Sequence, residues 1–296
     1  MNRNYLILIV CFLGAPVARA GEPGVKQTIT YVQKLQTTTG GFLSQAPAPN
    51  VRPAPTLRAT ASGVRALHYL GGEIPNKDAC IKYIESCYDS KAGGFRDMPN
   101  GKPGIVDTAV GLMAVVELKM PTDKYVAGAV KYLSEEAKSF EEIRIAAAAL
   151  EAVKQRSAKE DVWLKEVSKL QNPDGTFGKS PGQARATGGS VVTILRLNSK
   201  PAESDRILKV LKDGQRQNGG WGKDDNEIAS DLETTYRVMR CFVMLKARPA
   251  NVEGVRSFIA KCRNEDGGYG VAPAQPSSVS GTYYAAIVTH WLKQSQ

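Results

Sequence analysis

Two kinds of helix-forming segment alternate along the chain, and they differ in how their apolar residues are arranged. Six segments are small and apolar on almost every side: residues 60–70, 108–118, 143–153, 187–197, 234–245 and 282–292. Six others carry charged residues around a single apolar stripe: residues 25–35, 77–87, 122–133, 162–170, 204–211 and 252–262. A helix that is apolar nearly all round belongs inside a protein, and a helix with one apolar stripe belongs on its outside. The pattern therefore predicts an all-α fold of six inner and six outer helices.

A short glycine-containing sequence recurs where an outer helix is followed by an inner one. In its clearest form a glutamine is followed four residues later by a glycine and two residues after that by an aromatic residue. The residues expected to build these turns are Gln36, Gly40, Phe42, Gly93, Phe95, Gln171, Gly175, Phe177, Gln215, Gly219, Trp221, Gly267 and Tyr269. Glycine allows positive φ, the glutamine amide can satisfy backbone groups at helix ends, and the aromatic ring can pack beneath the turn. The motif therefore indicates a structural role and is not evidence of catalysis.

The spacing of these turns sets the number of repeats. The interval from Gly93 to Gly175 is about twice the others, which indicates two units with a degenerate turn near residues 137–140. Six units result, opening with an outer helix and ending with an inner one, so the first and last helices can pair. An open stack of repeats would need polar caps at both ends, and none is evident. The sequence predicts an α6/α6 toroid, six helical hairpins in a closed ring, as a single domain over residues 21–296.

The first twenty residues have the pattern of a secretory signal peptide. Arg3 precedes an apolar stretch over residues 5–13, and small residues stand at Ala18 and Ala20. We therefore expect an exported protein, periplasmic or secreted. No later segment is long and apolar enough to span a membrane.

Composition and charge narrow the classes of function. The 42% of hydrophobic residues exclude a disordered chain. The net charge of +10 comes from lysines and arginines scattered over helical faces, so no nucleic-acid partner is expected. Cys80 and Cys87 lie too far apart on one helix to form a disulfide. Cys241 and Cys262 fall on the two helices of one hairpin and could meet, but we expect free, buried thiols.

The turns and alternating helices resemble the prenyltransferase and squalene-oxidase repeat superfamily, which includes squalene–hopene cyclases and the β subunits of protein prenyltransferases. The resemblance covers residues 24–293. It is closest over residues 87–99 and 106–115, which are similar to the geranylgeranyltransferase type II β subunit around its zinc site. The resemblance implies a ring interior that holds an isoprenoid or another hydrophobic ligand.

The zinc ligands of that family are not kept. The β subunits hold zinc with an Asp-x-Cys pair and a histidine from an Asp-x-x-His turn. Asp107 matches the aspartate, but Ala109 and Val110 stand at the other two positions, and the fifth unit offers Glu233 and Thr234 there. Because neither alanine nor valine can bind a metal, we expect no metal, no cofactor and no zinc-dependent transfer at this place.

Terpene cyclisation has equally little support in the motifs. The Asp-x-Asp-Asp turn with which cyclases protonate an alkene is absent, and Asp224–Asp225 is interpreted as a solvated turn or a helix cap. Aromatic residues, which stabilise carbocations, are few on the predicted inner helices: Tyr69, Tyr236, Phe242, Tyr283, Tyr284 and Trp291.

Ionisable residues are expected to gather at one end of the ring, because all six inner helices begin there. Asp231 and Glu233 are the candidates for a catalytic acid and base. The candidates for ligand binding are Arg58, Asp107, Arg144, Arg185, Tyr236 and Tyr283. The alternative is that the acidic residues stabilise helix N termini, which carry partial positive charge.

Three functions remain open on the sequence alone. The first is a prenyltransferase-like or cyclase-like toroid that binds an isoprenoid or other hydrophobic ligand. The second is a non-catalytic exported scaffold that binds a protein partner. The third is an acid–base enzyme acting on polysaccharide, which depends on Asp231 and Glu233.

Overall fold

The computed structural model describes residues 23–223 and 230–294, and this part of the chain contains twelve α-helices and one two-stranded antiparallel sheet. The helices are α1 (Pro23–Lys34), α2 (Leu57–Leu70), α3 (Lys77–Ser86), α4 (Ile105–Glu117), α5 (Val126–Glu136), α6 (Phe140–Ala152), α7 (Glu160–Ser168), α8 (Gln183–Arg196), α9 (Ser204–Asp213), α10 (Leu232–Met244), α11 (Val252–Lys261) and α12 (Val279–Gln294). The strands β1 (Tyr88–Asp89) and β2 (Gly94–Phe95) lie between α3 and α4. The predicted signal segment, residues 1–20, and Asp224–Asp225 lie outside the described residues. The all-α prediction is confirmed.

The even-numbered helices form the inner ring. Each packs against the inner helices on either side of it, and α12 packs against α2, which closes the ring. Arg58 pairs with Asp107 at the starts of α2 and α4, and His68 pairs with Glu117 near their ends. Since partners stand at matching positions, these inner helices run parallel, and we call the end where the inner helices begin the mouth. The predicted closed toroid is confirmed.

Glycine turns follow five of the six outer helices, and each turn contacts the beginning of the next outer helix around the ring. Gly219 has φ +95°, and a Cβ atom there would lie 1.9 Å from the carbonyl oxygen of Gly254 in α11. Gln215 donates from Nε2 to the carbonyl oxygens of Gly219 and Asn251, both at 2.8 Å, and its Oε1 accepts the Asn251 N–H. The first turn repeats this arrangement at the start of α3. The glutamine thus bonds backbone groups of its own turn and of the residue that caps the next outer helix.

The seam between the last unit and the first uses related contacts. Gly267 lies against the backbone of Gln27 in α1, and its carbonyl oxygen accepts the hydroxyl of Thr28 at 2.7 Å. Arg263 stands where the clearer copies have glutamine and donates to Gln27 Oε1 at 2.7 Å. The first outer helix is therefore held as the later ones are.

A threonine in five of the inner helices completes each turn, a feature that the sequence reading missed. Its hydroxyl oxygen accepts the backbone N–H of the turn's aromatic residue at 2.9–3.2 Å. We call these the repeat threonines; the pairs are Phe42 with Thr60, Phe95 with Thr108, Phe177 with Thr187, Trp221 with Thr235, and Tyr269 with Thr282. In α6 the degenerate turn is replaced by a capping box between Ser139 and Glu142.

The four cysteines of the described chain, Cys80, Cys87, Cys241 and Cys262, are free and buried. Burial raises the pKa of each thiol, to about 12 for Cys241. Cys241 and Cys262 form no disulfide, so the expectation of buried thiols is confirmed. Within residues 23–223 and 230–294, no helix combines the length and apolar character needed to cross a membrane.

Candidate functional site

The inner helices surround a central cavity of about 320 Å³. On the side formed by α4 and α6, aliphatic residues line the cavity between Arg144 toward the mouth and Glu117 and Glu151 toward the other end. We call this side the aliphatic wall; its residues are Val110, Met113, Val116, Ile145 and Ala148. The small, apolar faces of α4 and α6 predicted from the sequence thus face the centre of the ring.

The opposite side, formed by α2, α10 and α12, is aromatic. We call it the aromatic wall; its residues are Tyr69, Tyr236, Tyr283 and Tyr284. The ring of Tyr236 stacks on Trp291, with ring centroids 5.5 Å apart and an angle of 18° between the planes. The rings of Tyr236 and Tyr283 lie 5.9 Å apart. This packing fixes the ring orientations along one side of the cavity.

Arginines line the cavity in excess of carboxylates. The basic residues are Arg65, Arg144, Arg196, Arg237 and Arg240, and the acidic ones are Glu117, Glu151 and Glu233. Five positive charges against three negative ones make the interior electropositive. This differs from the apolar ring interior that the sequence comparison implied.

Three arginines and two glutamates form a network of ion pairs at the mouth, linking α6, α8 and α10. Arg237 donates to Glu233 and to Glu141, both at 2.8 Å, while Arg185 contacts Glu233 at 3.3 Å and Arg144 contacts Glu141 at 2.8 Å. Burial alone would raise the pKa of Glu141, but the hydrogen bond from Arg237 and the charges of Arg144 and Arg237 outweigh it and lower that pKa to about 2. In Glu233, the charges of Arg237 and Arg185 likewise outweigh burial, so its pKa is lowered.

The predicted catalytic pair occupies two different environments. Asp231 is the N-cap of α10: one carboxylate oxygen accepts the Thr234 N–H at 2.7 Å, and the other accepts the Thr234 hydroxyl at 2.8 Å. Glu233 lines the cavity within the mouth network. The Asp231 geometry is that of the capping alternative. The acid–base assignment stays a prediction.

Of the six predicted ligand-binding residues, three line the cavity and three do not. Arg144, Tyr236 and Tyr283 line the cavity. Arg58 and Asp107 instead bind each other at 2.6 Å across the starts of α2 and α4. Arg185, the sixth, bonds to Glu233 in the mouth network.

The residues around Asp107 do not fit zinc. Its carboxylate is taken up by Arg58, and the neighbouring positions hold Ala109 and Val110, which have no donor atoms. Among the residues that the structure describes, no three side chains of the metal-binding types come together as a site. No step of a zinc-dependent transfer can therefore be assigned to these side chains.

Two cavity arginines, Arg65 and Arg240, form no ion pair at contact distance with a carboxylate of the described residues, although Glu117 acts on Arg65 as an opposite charge. The Arg65 guanidinium lies 4.6 Å from the ring centroid of Tyr283, and its hydrogen bond to a side chain goes to the Met113 sulfur at 3.6 Å. The Arg240 guanidinium lies 4.4 Å from the ring centroid of Trp291, and its buried Nε atom has no hydrogen-bond partner. Arg196, by contrast, pairs with Glu151 at 2.8 Å.

The field of these arginines acts on Tyr236. Burial would raise the pKa of its hydroxyl, but the positive charges of Arg240, Arg65 and Arg196 outweigh burial and lower it. A buried phenol with a lowered pKa indicates a strongly positive local potential.

Of the cavity arginines, the sequence indicated Arg144 but not Arg65 or Arg240, although a signal for these two was present. Arg65 and Arg240 each stand five residues after a repeat threonine, Thr60 and Thr235. The same position in the other inner helices with a repeat threonine is apolar, as at Met113. A basic residue at an otherwise apolar position of a repeat would have marked both residues.

Comparison with known proteins identifies the family of this ring. The model of the prenyltransferase alpha-alpha toroid domain matches residues 63–145 and 124–296. The chain belongs to the prenyltransferase α/α toroid family. The resemblance deduced from the turns is confirmed.

Individual relatives of this prenyltransferase-type toroid are distant. Drimenyl diphosphate synthase from Streptomyces showdoensis is 28% identical over 141 residues, which are 44% of this chain and 26% of that protein. The chain thus matches about a quarter of that relative's length.

Solved structures share the fold at low sequence identity. Protein geranylgeranyltransferase-I from Candida albicans, complexed with GGPP, superposes with a TM-score of 0.69 at 11% identity, covering 90% of each chain. A type II terpene cyclase from Scytonema, in complex with the product merosterolic acid A, has a TM-score of 0.59 at 8% identity, covering 92% of this chain and 96% of the cyclase. A glycosidase has a TM-score of 0.60 at 12% identity, covering 92% of this chain and 95% of that one.

Proposed function

We propose that this prenyltransferase-type toroid binds an isoprenoid substrate in its central cavity. The observation that carries the proposal is the aliphatic wall of α4 and α6, which faces the aromatic wall across the central cavity. Ligand pockets are typically about 300–1,000 Å³ and mostly apolar. A cavity of about 320 Å³ lies at the lower end of that range, so we expect a short isoprenoid rather than a long polyprenyl chain.

The chemistry of the interior limits what can happen to such a substrate. Protein prenylation by the zinc route has no support, because Ala109 and Val110 occupy the ligand positions. Carbocation chemistry is disfavoured as well, since an excess of arginine charge raises the energy of a cation in a cavity of low dielectric. The proposal is therefore substrate binding by the family's ring, without the family's zinc-dependent step.

An acid–base role on polysaccharide is less well supported. Such a reaction needs one carboxylic acid that stays protonated near neutral pH. The pKa of Glu233 is lowered by Arg237 and Arg185, and the Asp231 carboxylate is engaged in the helix cap.

Export belongs to the same proposal. The support is the signal-like pattern of residues 1–20, with its basic start, apolar stretch and small residues before residue 21. Mass spectrometry of the protein from the extracytoplasmic fraction of its host should give an N terminus at residue 21. A full-length protein recovered from the cytoplasm would contradict export.

Ligand binding is tested with neutral isoprenoids. Geraniol, farnesol and geranylgeraniol should raise the melting temperature with concentration, and the shift should be largest for the shorter two. Val110→Phe, which fills the cavity from α4, should reduce the shift. Val106→Phe, the same change on an exposed side chain of the same helix, serves as the matched control and should leave the shift intact. No shift with isoprenoid alcohols or their anionic forms would contradict the proposed function.

A further inference from the structure

A tyrosine of an outer helix packs against the second glycine of a turn at three junctions between units. At two of these junctions its hydroxyl is bonded to a proline. Tyr83 donates to the carbonyl oxygen of Pro55 at 2.6 Å, and Tyr132 donates to that of Pro103 at 3.0 Å. In both cases the proline lies against the same glycine as the tyrosine ring. The fold thus uses this tyrosine to hold the carbonyl group of a proline.

The third of these tyrosines, Tyr31 in α1, lies at the seam and lacks that bond. Its ring packs against Gly268 beside Ser277, which stands where the other two junctions have proline. The residue is 5% exposed, and its hydroxyl oxygen is buried without a hydrogen-bond partner. Burial and the charge of Asp266 raise the pKa of this hydroxyl, so it keeps its proton and remains a donor. Native proteins leave few buried polar groups unpaired, so we expect an acceptor from outside.

The Tyr31 side chain lines a cavity of about 450 Å³ between α1 and the last glycine turn, which we call the seam pocket. Leu35 and Pro47 contribute apolar walls. Lys34 and Asp266 line the same pocket with opposite charges, and neither has an ion-pair partner within the part of the chain that the structure describes. The pocket therefore suits a segment that combines a carbonyl acceptor, an apolar side chain and a charge.

The matching chemistry lies on a neighbouring stretch of the same chain. Residues 46–55, which we call the proline loop, contain four prolines, and residues 46–54 are exposed. The carbonyl oxygens of Pro49 and Pro53 accept no hydrogen bond from the described residues. Val51 is 55% exposed, the largest fraction among the exposed large apolar residues of the described chain. Proline-rich segments are stiff and keep their carbonyl groups solvated, so they lose little freedom on binding.

One copy of the chain does not bring the donor and these acceptors together. The proline loop begins at the pocket, where Pro47 forms part of the wall, but the Tyr31 hydroxyl stays unbonded. A surface patch that carries both a pocket and a segment that fits it is self-complementary, which is the requirement for a two-fold dimer. The charges agree with such a contact, because Arg52 in the loop is opposite in sign to Asp266 in the pocket.

We infer that two copies of the chain associate about a two-fold axis, each inserting its proline loop into the seam pocket of the other. A prolyl carbonyl oxygen of the loop accepts the Tyr31 hydroxyl of the second copy, Val51 enters the pocket, and Arg52 pairs with Asp266. The contact is made by two short loops and is small beside the ~1,600 Å² of a typical stable interface, so we expect a weak dimer. The inference does not involve the central cavity and is independent of the proposed function.

Sedimentation equilibrium of the purified protein over a range of concentrations tests the inference. The wild type should form a dimer that dissociates on dilution. Val51→Asp should raise the dissociation constant at least about tenfold, because it places an unpaired charge in the contact. Val162→Asp, the same change at a valine of α7 that is 51% exposed, is the matched control and should leave the constant unchanged. A wild type that stays monomeric up to about 0.5 mM, or equal effects of the two variants, would overturn the inference.

Tyr31→Phe keeps the ring and removes only the hydroxyl. It should weaken the dimer roughly threefold to tenfold, which is the contribution of one hydrogen bond. At a concentration where the protein is monomeric it should not lower the melting temperature, because the hydroxyl has no partner within one copy. Tyr132→Phe is the control: it breaks a bond inside each copy, so it should lower the melting temperature and leave the dimer intact. A fall in melting temperature for Tyr31→Phe without any effect on the dimer would overturn the inference.

Two further measurements identify what enters the pocket. A blocked peptide with the sequence of residues 45–55 should dissociate the wild-type dimer, and its binding should weaken in Tyr31→Phe. Peptide binding by a wild type that is always monomeric would assign the pocket to a proline-rich segment of another protein and overturn self-association. When Arg52→Cys and Lys34→Cys are mixed under mild oxidation, a disulfide should join one variant to the other. Disulfides formed only between two copies of Arg52→Cys would show that loops meet loops and would overturn the proposed contact.

Discussion

Replacing Thr60 by valine tests how the turns are attached to the inner ring. The Thr60 hydroxyl accepts the Phe42 N–H at 2.9 Å and donates to the Thr56 carbonyl oxygen at 2.7 Å, and Thr60 is fully buried. Valine has nearly the same shape but can neither accept nor donate a hydrogen bond. The backbone N–H of Phe42 would then be buried without an acceptor, at a cost of about 1–3 kcal/mol.

Thr193 in α8 is the matched control for this substitution. It is equally buried, and its hydroxyl donates at 2.8 Å to the Gly189 carbonyl oxygen, four residues earlier, but it accepts no turn N–H. Thr193→Val therefore removes the same kind of intrahelical bond and leaves no donor unpaired. The difference between the two variants isolates the contact between the turn and the helix.

The assay is urea unfolding of both variants, followed by circular dichroism, with thermal melts alongside. We expect Thr60→Val to lower the free energy of unfolding by about 1–3 kcal/mol more than Thr193→Val does. In a domain of this size that corresponds to roughly 2 °C or somewhat more per kcal/mol. Equal losses in the two variants would refute the view that the repeat threonines hold the turns.

Three further outcomes are expected. Gly219→Ala should lose at least about 1 kcal/mol of stability, because alanine at φ +95° is strained and its methyl group would meet the Gly254 carbonyl. Gly24→Ala, whose added methyl group would have no contact under 3.9 Å, is the control and should not be destabilised. Equal melting temperatures of the two variants would contradict this expectation. His68 has a raised pKa because of its hydrogen bond to Glu117, so the stability that this pair adds is fully present below the unfolded-state pKa and is lost as pH rises through the folded-state pKa. The melting temperatures of the wild type and His68→Gln should therefore differ more at pH 5.5 than at pH 8.5. A difference that does not change with pH would count against the pair. The buried thiol of Cys241, whose pKa is raised to about 12, should react with Ellman's reagent only after unfolding, and rapid labelling of the folded protein would show that this core opens.

The ring could be predicted because its signals repeat. One unit alone would have been ambiguous, but five turns with the same glycine and aromatic positions fix both the helix pairs and their number. The inner helices begin two to four residues before the predicted starts, as with Leu57 instead of residue 60. The reason is that the first turn of each carries residues such as Arg58 and Asp107, which lie at the mouth and do not belong to the apolar run.

The cavity could not be predicted in the same way. Hydrophobic patterning averages over all positions of a helix and predicts only whether the helix is buried. A single arginine such as Arg65 hardly changes the pattern of an otherwise apolar helix. The long aliphatic stem of arginine also packs well among apolar side chains while its charged end reaches elsewhere. The charged end of Arg237 in α10 meets Glu141 in α6. Such pairings depend on the closure of the ring and on contacts between residues far apart in sequence.

Because Gly267 and Arg263 hold α1 much as the other turns hold their following helices, the place where the chain starts is not distinguished by the packing. Residues 71–76 suffice to carry the backbone from α2 to α3, and a linker of similar length would join α12 to α1. The toroid should therefore tolerate circular permutation, with new termini placed in any of the connections that lead from an inner to an outer helix. The same reasoning predicts that unfolding proceeds without fraying from one end, since a ring offers no terminal repeat from which to unzip.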